Sequence, residues 1–344
     1  MKIKARFEHG SVLLNSQEYY VNDWTLDVPE GIGKFLLSRG EYTIKLKKEC
    51  SLQNSKNLLF IRGSGLGDVM MCTAVVRYIK EKINKNVNID WLCGSGEYSE
   101  VLEGNKYIRK VYDIKTIPND IDTMYDYMAS IDMAEFIGNN SHYHHRIDLF
   151  ARMLPELKSV VIEDKHLDYF IRKEEIDWVE SLKLRIPYIT LTYKTSATNR
   201  MLSNEMNIEI CKKILDAGIG VALADKDVIQ FDKRAMTLSG MSIRQKVAII
   251  HGAAAVLTPD TGIFHIASAL DKPIVTYFGA INPKLRISSD NVHVLINPVP
   301  CFPCDVYTCS LGRPMCVQGI KVDDIVNKVV SLVGVGVKNS STTV

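Results

Sequence analysis

The sequence predicts an α/β protein: two Rossmann-like halves facing a cleft, with a small β-rich extension ahead of them. Three observations predict it. Short apolar runs alternate with amphipathic segments from Leu58 onward, the rhythm restarts near Tyr188, and residues 1–50 follow a different period. Strands that alternate with helical patterns through short loops make βαβ units, and hence a mainly parallel sheet.

The extension is expected over residues 1–52. KIKARFEH, SVLLN, EYYVN, TLDVP and EYTIKLKK are short, several alternate with period two, and Gly, Asn, Asp or Pro set them apart. That is the pattern of a small antiparallel β unit. An open strand edge there could pair with a second chain, so a homo-oligomer through this extension is one expectation and acceptor binding another. The polar QNSKN leads into the first half, expected over 53–180. LLFIR is its first strand, GSGLG a turn, and DVMMCTAVVRYIKEKI an amphipathic helix; VNIDWLC and RKVYDI are further strands. A helical stretch from about residue 130 to 154 and the helical EEIDWVESLKL complete it. The second half, 181–335, repeats the rhythm through YITLTY, NIEICKKILDAG, IGVALA, SIRQKVAIIHGA, AAVLTP, GIFHIASALD and KPIVTYFG. The tail, 336–344, is expected to be disordered.

Composition narrows the function classes. The 344 residues are 46% hydrophobic and 24% charged, ordinary for a soluble protein with a large core. Lys+Arg 42 against Asp+Glu 40 leaves +2, so no basic field points to nucleic acid. No apolar run reaches the roughly 18–20 residues that span a bilayer, and MKIKARFEHG lacks a signal peptide's apolar core. The expectation is a cytoplasmic chain without a transmembrane segment, whose eight cysteines are reduced or metal-bound rather than paired.

Four segments could carry chemistry. Gly63-Ser64-Gly65-Leu66-Gly67-Asp68 follows a strand and opens a helix, where free amides and the helix dipole favour an anion. Its G-x-G-x-G spacing is not that of a dinucleotide fold, and the acid such a fold needs would be Asp90, in mid-strand. Asp68 is either a first-turn acid favoured by the dipole or a general base aimed into the cleft. A helix N-terminus weakens a carboxylate as a base, so an apolar sugar face or a missing counter-ion would have to offset it. In Thr258-Pro259-Asp260-Thr261-Gly262-Ile263-Phe264-His265 a strand runs into a capped helix, with Thr261 and His265 on one helical face. Hydroxyl, amides and imidazole at a strand's carboxyl end could bind a pyrophosphate; a capped helix with a core histidine is the plainer reading. A lone Asp-Thr-Gly among βα units does not make an aspartic protease, which needs two such carboxylates in an all-β fold.

Thr192 to Arg200 offers hydroxyls with two cations, Lys194 and Arg200, as phosphate oxygens require, although taken alone it reads as a polar loop. Finally, Cys301, Cys304, Cys309 and Cys316 form C-x2-C-x4-C-x6-C. Four thiolates so close could hold a structural zinc or iron ion, against free thiols packed in a loop. The run Ser141-His142-Tyr143-His144-His145-Arg146 reads as a polar helix start rather than a metal site.

Taken together, IRGSGLGDVMMCTAVV, LSGMSIRQKVAIIHGAAAVLTPDTGIFHIASALDKPIVTYFGAINP and CFPCDVYTCSLGRPMC resemble the bacterial ADP-heptose heptosyltransferases, glycosyltransferase family 9. The likeness runs from Leu58 to about Val333 and leaves out residues 1–50. It implies the GT-B fold and inverting, metal-independent transfer of heptose from ADP-heptose to a hydroxyl. The acceptor would be a lipopolysaccharide core, a surface glycan or a protein, with peripheral contact to a membrane-borne acceptor, and no cofactor would be needed for the chemistry. Asp68 matches the family's base. Gly65 and Gly67 lie in its glycine loop, Lys194 and Thr195 fall where hydroxyl residues meet the phosphates, and Met241 where a residue lines the adenosine pocket. Asp260, Thr261, Gly262 and His265 match the nucleotide-diphosphate loop. Two positions depart from the pattern. Asn199 stands where lysine is usual, leaving the charge to Arg200 or Lys194, and Phe278-Gly279-Ala280 replaces Phe-Gly-Pro. Rival readings are another nucleotide sugar on the same fold, a dinucleotide-dependent oxidoreductase, and a non-catalytic nucleotide- or metal-binding assembly protein.

Overall fold

The computed structural model describes residues 50–334 apart from 95, 116, 119, 132–142, 185–186, 226–230 and 307; before residue 50 it describes only the backbone of five strands. The expected disordered tail lies outside the described residues, as do Ser141 and His142. The chain divides into two compact units, Met1–Phe170 and Ile171–Val344.

In the first unit, β1 (Lys2–Lys4), β2 (Gly10–Leu14), β3 (Gln17–Asn22), β4 (Thr25–Asp27) and β5 (Thr43–Ile44) pair antiparallel in the order β2-β3-β4-β1-β5. A second, all-parallel sheet follows. It comprises β6 (Asn57–Ile61), β7 (Asn88–Cys93), β8 (Lys110–Asp113) and β9 (Tyr127–Ser130), in the order β8-β7-β6-β9. The helices are α1 (Leu66–Tyr78), α2 (Glu97–Glu100) and α3 (Arg146–Ala151). Leu58, Leu59 and Phe60 are fully buried on β6, because a parallel strand covered on both faces reads as a continuous apolar run. Helix α1 buries every residue from Val69 to Arg77, so it is a core helix rather than a surface one.

In the second unit all six strands are parallel: β10 (Tyr188–Leu191), β11 (Gly220–Leu223), β12 (Met236–Thr237), β13 (Ala255–Pro259), β14 (Ile274–Tyr277) and β15 (Val292–Leu295). Their order is β12-β11-β10-β13-β14-β15. Its helices are α4 (Lys173–Ser181), α5 (Asn204–Asp216), α6 (Ile243–Gly252), α7 (Gly262–Ala269), α8 (Met315–Gln318) and α9 (Val322–Val333). Capping follows the sequence. Ser203 caps α5, accepting from the Met206 amide, Ser242 and Gln245 close a capping box on α6, and Gly334 ends α9 at φ 74°. Ile325, Val326, Val329 and Val330 of α9 join β10, β11 and β14 in one core, as their 1-2-5-6 spacing on a single helical face requires.

Both parallel sheets are doubly wound. The strand order reverses beside β6 in the first unit and beside β10 in the second, between β6 and β9 and between β10 and β13. Such a reversal opens a crevice at the strands' carboxyl ends, which fixes where a ligand can enter each unit. Among the described residues no helix is long and apolar enough to cross a membrane.

Candidate functional site

The first reversal carries Asp68. The chain leaves β6 through Arg62 and turns at Gly65, at φ 76°, before entering α1. Only glycine suits that position. Its backbone is left-handed, and a Cβ there would lie 3.1 Å from Asp68 Oδ2 and 3.3 Å from Arg62 Nη2. Gly67 is the second residue of α1 and Asp68 the third. Asp68 Oδ2 accepts from Arg62 Nη2 at 2.5 Å and lies 3.5 Å from Arg146 Nη2. Arg62 also donates to the Ser64 carbonyl (2.9 Å) and the Ile131 carbonyl (3.4 Å). The Phe150 ring lies beneath both guanidinium groups, 5.5 Å from that of Arg62 and 4.9 Å from that of Arg146.

The sequence left open an apolar sugar face or a missing counter-ion as the offset to the helix N-terminus; Arg62 and Arg146 supply counter-ions at Asp68. Two guanidinium groups therefore face the Asp68 carboxylate. The Asp68 side chain is nonetheless 20% exposed while Arg62 is 5% exposed, so the carboxylate is the member of the pair that solvent or substrate can reach. The dinucleotide reading fails on geometry. Asp90 is buried in mid-strand, and its carboxylate takes Arg109 through two bonds, at 2.9 and 2.7 Å, and the Tyr125 hydroxyl at 2.7 Å.

The second reversal carries Asp260. This carboxylate is 6% exposed and accepts from Arg200 Nη1 at 3.0 Å, while His265 Nε2 stands 3.6 Å away on its other oxygen. Burial by itself would raise the Asp260 carboxyl, but His265, Arg286 and Arg200 prevail and hold it at about 2. Thr261 is the N-cap residue of α7, its hydroxyl 3.1 Å from that of Thr258 and not spent on the helix amides. The amides that begin at Gly262 are therefore not capped by Thr261, which suits an anion at the helix end. His265 lies buried one turn further on, with no hydrogen bond to Nδ1.

The loop after β10 shares this edge. Asp225, just beyond β11, accepts the Tyr193 amide at 2.9 Å and the Lys194 amide at 3.2 Å. Burial pushes its carboxyl up to about 6, against the pull of those amides and of the Lys194 and Lys246 charges. Lys194 is half-buried, its ammonium 5.9 Å from the Tyr193 ring. The Thr195 hydroxyl closes its own turn, donating to the Ala197 carbonyl (2.6 Å) and accepting the Ala197 amide (3.0 Å), so it shapes the loop before it meets any ligand. Arg200 also reaches the Ser196 hydroxyl at 3.0 Å. Met241 follows β12 at the same edge, half-buried against the core of Tyr188, Ala224 and Leu238.

The four cysteines line one cavity, with Cys301 and Cys304 exposed, Cys309 half-buried and Cys316 buried. As placed they do not form a ligand set: among the described residues no three His, Cys, Asp or Glu side chains converge on a point. The segment is tied down elsewhere. The Asn199 Nδ2 donates to the Val306 carbonyl, and the Asp305 amide to the Ala280 carbonyl at 2.8 Å.

The structure thus joins Arg200, Asp260 and His265 in one network, with Thr261 at the start of the same helix, Lys194 and Thr195 on the neighbouring loop and Asp68 in the other unit. Sequence reasoning missed Arg62, Asp225 and Arg286, and passed over Arg146 within a run read as a polar helix start. A lone charge directly after an apolar strand, as in LLFI-Arg62 and VALA-Asp225, was the available signal. His145 does start that helix, its Nδ1 accepting the Ile147 amide at 3.2 Å.

Two doubly wound parallel units define the class, the GT-B fold. Residues 201–314 match the profile of Glycosyltransferase family 9 (heptosyltransferase), the family read from the sequence. The chain is 26% identical over 177 residues to lipopolysaccharide heptosyltransferase 1 of Pseudomonas aeruginosa, 48% of this chain and 49% of that one. It therefore spans about half the length of that curated relative. Among solved structures, a glycosyltransferase of family 9 from Veillonella parvula superposes with a TM-score of 0.64 at 14% identity, covering 83% of this chain and 99% of the other. TibC of enterotoxigenic Escherichia coli, described as a dodecameric iron-containing heptosyltransferase in complex with ADP-D-beta-D-heptose, superposes at 0.61 with 13% identity, covering 84% and 78%.

Proposed function

We propose that the protein is an inverting glycosyltransferase that moves heptose from ADP-heptose to a hydroxyl of a glycan or protein. The observation that carries the reading is the edge of the second unit. An uncapped helix end, Arg200, Lys194 and Thr261 gather where a doubly wound sheet takes its ligand, a set that suits a diphosphate. The family match begins at the next residue, 201.

The acceptor oxygen attacks the anomeric carbon from the face opposite the nucleotide, and the bond from that carbon to the diphosphate oxygen breaks. Its electron pair leaves with ADP, and the hydroxyl proton passes to Asp68. Arg200, Lys194 and the α7 amides stabilise the charge gathering on the diphosphate. Asp260 is engaged by Arg200 and faced by His265, so its part is to hold those two in place. Met241 borders the adenosine, and Gly65 and Gly67 let the backbone come close. A weak base suffices at Asp68, because the attacking hydroxyl turns strongly acidic as its oxygen bonds to carbon.

No cofactor enters this displacement. A structural zinc or iron ion at Cys301, Cys304, Cys309 and Cys316 is a second reading; their shared cavity and the iron in TibC's description favour it. The thiols do not converge as placed, so no step is routed through a metal, and elemental analysis of the purified protein decides the matter. The acceptor we propose is a lipopolysaccharide core or surface glycan, approached from the cytoplasm, with the β1–β5 sheet available for homo-oligomer contacts.

The test is ADP release from ADP-heptose. Wild type turns over, whereas Asp68→Ala keeps ADP affinity and loses turnover. Equal rates in the two remove Asp68 as the base. Turnover with UDP- or GDP-sugars alone keeps the mechanism and discards the heptose.

A further inference from the structure

Asn199 stands where the resembling family has lysine, and the proposed mechanism gives it no part. The residue is 4% exposed, a place where an ammonium would need a buried counter-ion. Two contacts fix it. The Nδ2 donates to the Val306 carbonyl, in the middle of the cysteine segment. Its own carbonyl packs on Gly279, where a Cβ would lie 2.4 Å from that oxygen and 2.5 Å from Val317 Cγ2. Its Oδ1, which has no hydrogen-bond partner among the described residues, belongs to a residue that lines the same cavity as the four cysteines.

The segment is anchored beside Val306 and at its Cys316 end as well. Asp305 is held at Ala280 (2.8 Å), and Asn297 takes the Cys316 carbonyl through its amide (3.1 Å) and the Met315 carbonyl through Nδ2 (2.8 Å). One residue beyond Asn199, Arg200 turns onto Asp260 and Ser196.

We propose that Asn199 is a positioning residue that couples the cysteine segment to the Arg200 turn, so that the state of the thiols sets the affinity of the second unit for a nucleoside diphosphate. The amide is the linker because a single short side chain reaches a carbonyl 107 positions away while its backbone stays locked under Gly279. A displacement of the Val306 carbonyl is then felt at the neighbouring guanidinium, whose direction fixes its hold on the phosphates.

The affinity readout rests on the donor-site reading above; a second readout does not. Iodoacetamide alkylates the exposed Cys301 and Cys304, with complete reaction checked by mass spectrometry. In wild type, alkylation is expected to weaken ADP binding about tenfold, the scale of one charge-assisted hydrogen bond, and to speed amide hydrogen exchange across residues 196–201. Asn199→Asp, nearly isosteric but lacking the donor, should begin with the weaker affinity and the faster exchange, and change less than about twofold on alkylation. Asn199→Ser serves if the aspartate variant does not fold. Unchanged exchange over 196–201 after full alkylation of wild type overturns the coupling, whatever ADP does. If exchange responds while unmodified wild type fails to bind ADP, the donor-site reading falls and the mechanical tie stands.

Discussion

The two sheet reversals are built alike and differ in one respect. Each presents an aspartate at a strand-to-helix turn with an arginine bonded to it: Asp68 with Arg62 at 2.5 Å, Asp260 with Arg200 at 3.0 Å. In the first unit the arginine is the more buried partner, 5% exposed against 20% for the carboxylate; in the second the carboxylate is, 6% against 15% for the arginine. The same pair is therefore turned inside out. A carboxylate that solvent can reach is fit to take a proton, and a buried one to hold cations for a ligand. Which atom faces the crevice, rather than which residues are present, separates the two roles.

The largest effect that tests this contrast is on rate. Asp68→Ala should lower turnover by about 10²- to 10⁴-fold with ADP affinity within twofold of wild type, as read by ADP release and calorimetry. Asp260→Ala should act on the fold instead. Breaking a buried pair by removing one partner costs about 3–5 kcal/mol, read as a lower urea midpoint. If Asp260→Ala folds normally and fails only in turnover, the contrast between the two loops is wrong.

Smaller again is Arg200→Gln, expected to weaken ADP about 10- to 100-fold, as loss of a hydrogen bond to a charged group does. The smallest effect is on pH. Asp225, raised to about 6 by burial, binds its proton more tightly folded than unfolded. Its contribution to stability is fully present below the ordinary carboxylate range and is lost as pH rises through about 6. Asp260, held at about 2, behaves in the opposite sense: its contribution is present above the ordinary range and lost only as pH falls towards 2. The urea midpoint should therefore drop between pH 5 and 7 in wild type, and that slope should flatten in Asp225→Asn.

The strand rhythm was legible because parallel strands and core helices are local patterns: LLFIR, YITLTY and AAVLTP became β6, β10 and β13. The glycine loop was legible too, since a left-handed turn before a helix has a composition. What pairs with Asp68 was not. Arg62 lies six residues back across the turn, and Arg146 comes from a helix that packs only in the folded unit. Asp225 reads as the end of a strand and acquires its role from amides 31 and 32 positions away. The cysteine spacing suggested a closed metal site, yet Cys301 and Cys304 face solvent and Cys316 is buried on α8, a difference that spacing alone does not encode.

Whether the second unit holds the diphosphate of an ADP-sugar is decided by calorimetric titration of the full chain with ADP, UDP and GDP, with ADP-heptose alongside. Binding is expected to be selective for ADP, tightened by the heptose, and weakened in Arg200→Gln but not in Asp68→Ala. Absence of binding to all four ligands would contradict that reading.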